Sequence, residues 1–253
     1  MFARQNSFFF SSCSVLIKLQ PNATPMPRRL TEQRHLILLV FILLLFVLGP
    51  VVVSLRYGVL ILNLIGAGVL MAATYALSRR GRSIFISATI LSALSIALTC
   101  WLLYVGGHLA AILSHCSIIV LVGFFVVTIL GDVLREEKIT ADKIYAAICV
   151  YLLIGYGWSF AYSVLDELEP DAFAIPTPVE SGDYAAQVTQ LRYFSFVTLT
   201  TMGYGDIVPR SNAARTMVIL EAVVGQLYLV ALVGRLVGLH IVHSSPLSRS
   251  DEP

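Results

Sequence analysis

The chain has 253 residues, 57% of them hydrophobic and 13% charged, with a formal net charge of +2. Charged residues make up about a quarter of an ordinary soluble domain, so this composition, with its mean hydropathy of +0.83, argues against a water-soluble globular protein. It also offers no basic run suited to nucleic acid.

Residues 1–33 have no regular pattern. Phe8 to Leu19 resembles the apolar core of a signal peptide, with Arg4 before it. No small-residue cleavage site follows, whereas Pro21, Pro25 and Pro27 do. The stretch reads as a disordered cytoplasmic tail, with Met26 as an alternative start and Asn22-Ala23-Thr24 as a chance match to a glycosylation acceptor. Beyond it the apolar residues fall in runs of about twenty, the length that crosses hydrocarbon.

The expected spans are Leu36–Leu55, Tyr57–Leu77, Ile84–Tyr104, Leu109–Gly131, Ile144–Leu165 and Ala213–Ile241. Gly49-Pro50 predicts a kink near the outer end of the first, which helices in lipid tolerate. Asn63 in the second predicts a helix–helix hydrogen bond. Ser87, Ser92, Ser95 and Thr99 give the third a small polar face fit for close packing. The fourth holds His115 and no lysine or arginine. Residues 132–143 form a charged connector, and residues 242–253 a short tail. Cys13, Cys100, Cys116 and Cys149 lack metal-ligand spacing. Three of them lie in apolar runs, so reduced, buried thiols are expected rather than a disulfide framework.

Lysine and arginine collect on the cytoplasmic side of membrane spans. With the N-terminus inside, Arg28, Arg29, Arg34, Arg79, Arg80, Arg82, Arg135, Lys138, Lys143, Arg235 and Arg249 all fall inside. Only Arg56, Arg192, Arg210 and Arg215 fall outside. Both termini are therefore expected in the cytoplasm. The outer segment after the fifth span holds Asp166, Glu167, Glu169, Asp171, Glu180 and Asp183 and no basic residue. Repeated around an axis, it would concentrate cations at the mouth.

Between the fifth and sixth spans, Tyr193 to Thr201 reads as a short helix running into Met202-Gly203-Tyr204-Gly205-Asp206, and Pro209 ends the loop. A dehydrated cation needs rings of carbonyl oxygens in place of its water. Aiming successive carbonyls at one axis takes backbone conformations that glycine reaches most easily, and Gly203 and Gly205 supply them. A second triplet, Gly155-Tyr156-Gly157, lies inside an apolar helix-length run, without the threonines or the acid. It reads as close helix packing.

The sequence Thr198-Leu199-Thr200-Thr201-Met202-Gly203-Tyr204-Gly205-Asp206 resembles the selectivity filter of the potassium channel family. The layout, six spans with a single pore loop, is similar to bacterial-type members that lack the voltage-sensor arginines, although the first four spans carry no further motif of the family. The resemblance covers roughly 144–241 and implies an all-α membrane protein, with a reentrant pore helix and filter between helices five and six. It also implies a homotetramer, since one chain carries one loop and a closed filter needs four. The domain division is then a tail (1–33), a four-helix unit that does not sense voltage (34–131), a connector (132–143), a pore domain (144–241) and a tail (242–253).

Carried over residue by residue, the carbonyls of Thr201, Met202, Gly203 and Tyr204, with the Thr201 hydroxyl, hold K+, and Gly205 completes the filter. Met202 stands where valine or isoleucine is more usual. Thr200, Asp206 and Glu221 are candidate filter supports. Val197 replaces an acid that braces the aspartate in some members, so Asp206 needs another partner. Glu221, an acid deep in an apolar helix, is functional by default. Hydroxyls on the back of the pore helix, such as Thr198 or Thr200, or a neighbour's Arg215 are its expected partners. Gly225 is the candidate gating hinge, and Gln226, Leu229 and Val233 are candidate cavity-lining residues.

No acid/base pair, nucleophile–histidine set, metal cluster or phosphate-cradling loop is present in the sequence, so no enzyme and no cofactor are expected. His108 and His115 lie two turns apart with no acidic neighbour in sequence. The expected function is passive K+ conduction across a plasma or inner membrane, with lipid and K+ as partners. Two other readings stay open at this point: a less selective cation channel, and a non-conducting modulatory subunit.

Overall fold

In the computed structural model the described residues are 34–52, 58–77, 81–135, 140–176 and 184–244. They form helices α1 (Arg34–Val52), α2 (Gly58–Leu77), α3 (Arg82–Val105), α4 (His108–Arg135), α5 (Ala141–Leu168), α6 (Tyr184–Leu199) and α7 (Asn212–Ser244). Two-residue strands, β1 (Phe173–Ala174) and β2 (Val208–Pro209), flank α6 and its following loop. Among the described residues, four helical stretches are long and apolar enough to cross a membrane: Arg82–Leu102, His108–Leu134, Ala141–Leu168 and Asn212–Arg235. α1 and α2 carry shorter apolar stretches, Arg34–Gly49 and Ile65–Leu77. The chain is therefore a multi-pass, all-helical membrane protein. The calls on residues 1–33 and 245–253, on Glu180 and Asp183, and on the Asn63 side chain lie outside the described residues.

Each expected span is a helix, with shifted ends. α4 runs on to Arg135 and α5 begins at Ala141, so both ends of the expected connector are helical. Asp142 in the first turn of α5 suits the positive end of the helix dipole. It also ties α5 to α1, because the His35 backbone N–H donates to its Oδ1 at 3.0 Å and the His35 ring lies 2.7 Å from its Oδ2. At the same end of the bundle Arg235 of α7 donates to the Leu134 carbonyl of α4 at 2.7 Å.

The helices pack in sequence order, α1 on α2, α3 on α4 and α4 on α5, and α1 closes back onto α5. Leu38 and Ile42 of α1, Leu121 and Phe125 of α4, and Val150 and Leu153 of α5 share one core. The small polar face of α3 does face α4: Ser95 Oγ donates to the Ser117 carbonyl, and the Thr99 and Ser114 hydroxyls are 3.1 Å apart. Cys149 is buried, but Cys100 and Cys116 are exposed, since they sit on the outward faces of α3 and α4. The two α4 histidines also part company. His115 is buried beside the Phe160 ring. His108 does have an acidic partner, Glu167 at 2.5 Å. Sequence distance hid that pair, because antiparallel packing of α4 on α5 brings together residues 59 apart. No group of metal ligands occurs among the described residues.

Candidate functional site

The candidate site is the loop from α6 to α7, and three structures position it. The first is the strand pair. β1 and β2 run antiparallel, Phe173 opposite Pro209 and Ala174 opposite Val208. The N–H of Arg210 adds a bond to the Ala172 carbonyl at 2.8 Å. The segment that leaves at Ala174 therefore returns to the same place at Val208. The second is an aromatic cluster beneath that pair. Tyr162 of α5, Phe173 of β1 and Phe194 of α6 meet with ring centroids 5.3 to 5.5 Å apart. Tilted and edge-to-face contacts of this kind add to what apolar burial supplies.

The third is the end of α6. The helix stops at Leu199, and its last carbonyls turn to the loop. Phe196 O accepts the Thr200 N–H and hydroxyl, Thr198 O accepts the Thr201 N–H, and Val197 O accepts the N–H groups of Met202 and Gly203. The loop backbone is thus keyed to α6. Thr201, Gly203 and Gly205 have φ of +58°, +57° and +76°, while Met202 and Tyr204 between them do not have positive φ. Alternating the sign of φ turns successive carbonyls to one side, whereas a β-strand points them alternately. Glycine takes such angles freely; Thr201 takes one at the expense of strain, which accumulates at functional sites. Among the described residues nothing donates to the carbonyls of Thr201, Met202, Gly203 or Tyr204. The Thr201 hydroxyl donates to the Thr200 carbonyl at 2.7 Å. Residues 201 to 206 are all exposed.

Behind the loop, Glu221 is fully buried on α7. Tyr162 Oη–H donates to its Oε2 at 2.5 Å, and Ser195 Oγ lies 2.5 Å from its Oε1. A hydroxyl of α6 does reach it, as expected, but that hydroxyl is Ser195 rather than Thr198 or Thr200, and a tyrosine of α5 joins it. Glu221 crosses α6 a turn above Thr198, which puts Ser195 within reach. Ser195 Oγ also lies 2.8 Å from the Gly155 carbonyl. Three helices therefore meet at one carboxyl group. Thr200 bonds to its own helix instead.

Asp206, deprived of the acid at 197, finds Tyr193, whose hydroxyl donates to it at 2.8 Å. That bond, helped by the Ile207 N–H, holds the Asp206 carboxyl below the usual carboxylate range. Gly225 lies inside unbroken α7, where an added Cβ would meet the Leu199 side chain at 2.7 Å and its carbonyl oxygen at 2.9 Å. Close helix crossing thus requires glycine there whether or not α7 bends. Tyr151 of α5 donates to that same Leu199 carbonyl at 3.2 Å. Of the cavity-lining candidates, Gln226 and Val233 are exposed and Leu229 is half-buried. In the other triplet, a Cβ at Gly155 would lie 2.8 Å from the Phe196 ring, so this glycine serves helix packing. The Tyr204 ring is 66% exposed and borders a cavity of about 420 Å³, with Met202, Val197, Phe196, Arg192 and Phe46 among its other walls.

Residues 173–239 match the family Ion_trans_2, described as ion channel. The match begins at β1 and takes in α6, the loop and most of α7; α1 to α5 lie outside it. Neither the curated proteins nor the solved structures contain a match to the chain.

Proposed function

We propose, from an ion-channel domain over residues 173–239 as premise, that the chain is a potassium-selective channel built from four copies around a shared axis. The observation that carries this is the loop backbone. Positive φ at 201, 203 and 205 and four carbonyls without a donor among the described residues fit a row of oxygens replacing a water shell. In this reading Thr201 to Tyr204 bind K+, and Thr200, Asp206 and Glu221 support them. The Thr201 hydroxyl leaves the Thr200 carbonyl to face the innermost ion.

The exposed apolar side chains of α7, Ile219, Leu220, Val223, Leu227 and Val230, supply surface for neighbouring copies. The return of β2 to β1 fits α6 as a reentrant pore helix, entering and leaving on the outer side. α1 to α5 and α7 are then the six spans, α1 to α4 forming the unit of residues 34–131 and α5 to α7 the pore. The carbonyl end of α6 points to the membrane centre and favours a cation there. α4 holds no lysine or arginine before Arg135, so the unit does not sense voltage by moving arginines. Gly225 remains the candidate bend, and Gln226, Leu229 and Val233 the candidate cavity lining. Both termini face the cytoplasm.

Bi-ionic reversal potentials on full-length protein in liposomes test the reading. Potassium permeability far above that of sodium is expected. Equal permeabilities would make it an unselective cation channel, and absence of any cation flux would leave a non-conducting subunit.

A pH experiment bears on the mouth. The Tyr193 bond lowers the Asp206 pKa, so the carboxylate stays charged into more acid solution. In Tyr193→Phe the pKa returns upward to the ordinary carboxylate range. External acid should then reduce K+ flux at a higher pH than in wild type, with little change at neutral pH. An unshifted acid limb would show that Asp206 does not set it.

A further inference from the structure

Hydropathy gives α1 no task beyond crossing lipid, yet α1 touches α6 at two places. Phe196 is the residue whose carbonyl takes Thr200 and whose successor takes Met202 and Gly203. Its ring is held between two others. Phe46 of α1 meets it edge-on at 4.8 Å and 71°, and Tyr156 of α5 meets it at 5.6 Å and 79°. Gly155 opens the notch in α5 that admits the ring.

One turn earlier on α6 is Arg192, 7% exposed. Its guanidinium lies against Gly49 of α1, where a Cβ would come within 2.6 Å of Nη2. It also sits 5.7 Å from the centre of the Tyr156 ring, an attractive cation–π placement, and donates to the Thr189 hydroxyl at 3.3 Å. No carboxylate pairs with it among the described residues. Among the described residues packing holds this guanidinium, and α1 supplies one wall. A side chain at 49 would force the guanidinium to move.

We propose that α1 buttresses the filter: Phe46 and Gly49 are positioning residues that fix α6, and through its carbonyls the 201–205 backbone, in the geometry that selects potassium. This rests on the potassium-channel reading. It gives the first helix a part in selectivity rather than in sensing. Loosening it should let the filter relax while the pore still conducts.

The test uses the full chain in liposomes with Phe46→Ala, Phe46→Leu and Gly49→Val, and Val47→Ala as control, since Val47 is 63% exposed on the same helix. The readout is the reversal potential, which does not depend on how much protein folds. Phe46→Ala should lower the potassium-over-sodium permeability ratio by roughly three- to tenfold, the factor one edge-to-face aromatic pair is worth, and Gly49→Val should lower it in the same direction by displacing Arg192. Phe46→Leu, which restores apolar bulk against the Phe196 ring, should recover most of it, and Val47→Ala should match wild type. If wild type is selective and Phe46→Ala, Phe46→Leu and Gly49→Val all keep its ratio, α1 is no buttress. A wild type without selectivity would instead overturn the channel reading, and this proposal with it.

Discussion

Gly203→Ala is expected to cut potassium flux at least roughly a hundredfold in a protein that still assembles. Gly203 holds φ at +57°, and an added Cβ would meet no other atom of its own chain within 4 Å. The effect therefore comes from backbone strain and not from a clash inside the chain. A left-handed conformation costs an L-residue about 1–2 kcal/mol, and four copies at the lower figure give roughly 4 kcal/mol against the conducting loop. At about 1.4 kcal/mol per factor of ten, flux should fall at least roughly a hundredfold. Gly205→Ala, at φ +76°, should behave alike. Gly157→Ala is the control: its Cβ would reach Val122 at 3.4 Å, an ordinary contact. Flux through reconstituted protein, normalised to assembled protein, decides the matter. Wild-type flux from Gly203→Ala would remove the carbonyl row from the mechanism.

The loop was legible in the sequence because its signal is local. Gly203 and Gly205 declare positive φ by being glycine, and the structure has both. Thr201 shares that conformation without a residue type that announces it; only the alternation 201, 203, 205 could have hinted at it. The partners of the supports were not legible. Asp206 was known to need one, and Tyr193 sits on the preceding helix, yet which α6 side chain reaches the mouth depends on where the chain turns back. Glu221 was recognisable as a buried acid, and Tyr162 as a hydroxyl inside an apolar run, each needing a partner. Their pairing across 59 residues is fixed by the crossing of α5 and α7, which periodicity does not encode.

Helix ends and faces show the same division. The apolar runs gave the helices, because lipid-length hydrophobic stretches are unambiguous. They did not give the working faces. α1 is apolar along most of its length, so nothing in its pattern marks Phe46, and Gly49 stands out only as a kink beside Pro50. The contact with α6 is what distinguishes them. Gly225 illustrates the converse. Its spacing from the filter pointed to a bend, whereas its surroundings explain the glycine by the approach of Leu199.

Glu221→Gln leaves flux and selectivity close to wild type, while Glu221→Leu collapses both. The argument is a count of hydrogens. Three polar contacts meet at this site: Tyr162 to Glu221, Ser195 to Glu221, and Ser195 to the Gly155 carbonyl. Tyr162 and Ser195 bring two hydroxyl hydrogens between them. If Ser195 gives its hydrogen to Gly155, the contact with Glu221 needs one from the carboxyl, and Glu221 is then a neutral acid that accepts from Tyr162 and donates to Ser195. Glutamine repeats that pattern, its oxygen accepting and its amide donating. Leucine fills similar space but orphans the Tyr162 hydroxyl and breaks the link to Ser195. Each buried polar group left unsatisfied costs about 1–3 kcal/mol, and the loss falls on the three-helix junction that seats α6. Potassium flux and the potassium-over-sodium ratio of the two variants separate the cases. If glutamine were as damaging as leucine, the carboxyl would be a charged acceptor of both hydroxyl hydrogens, and the neutral clamp would be wrong.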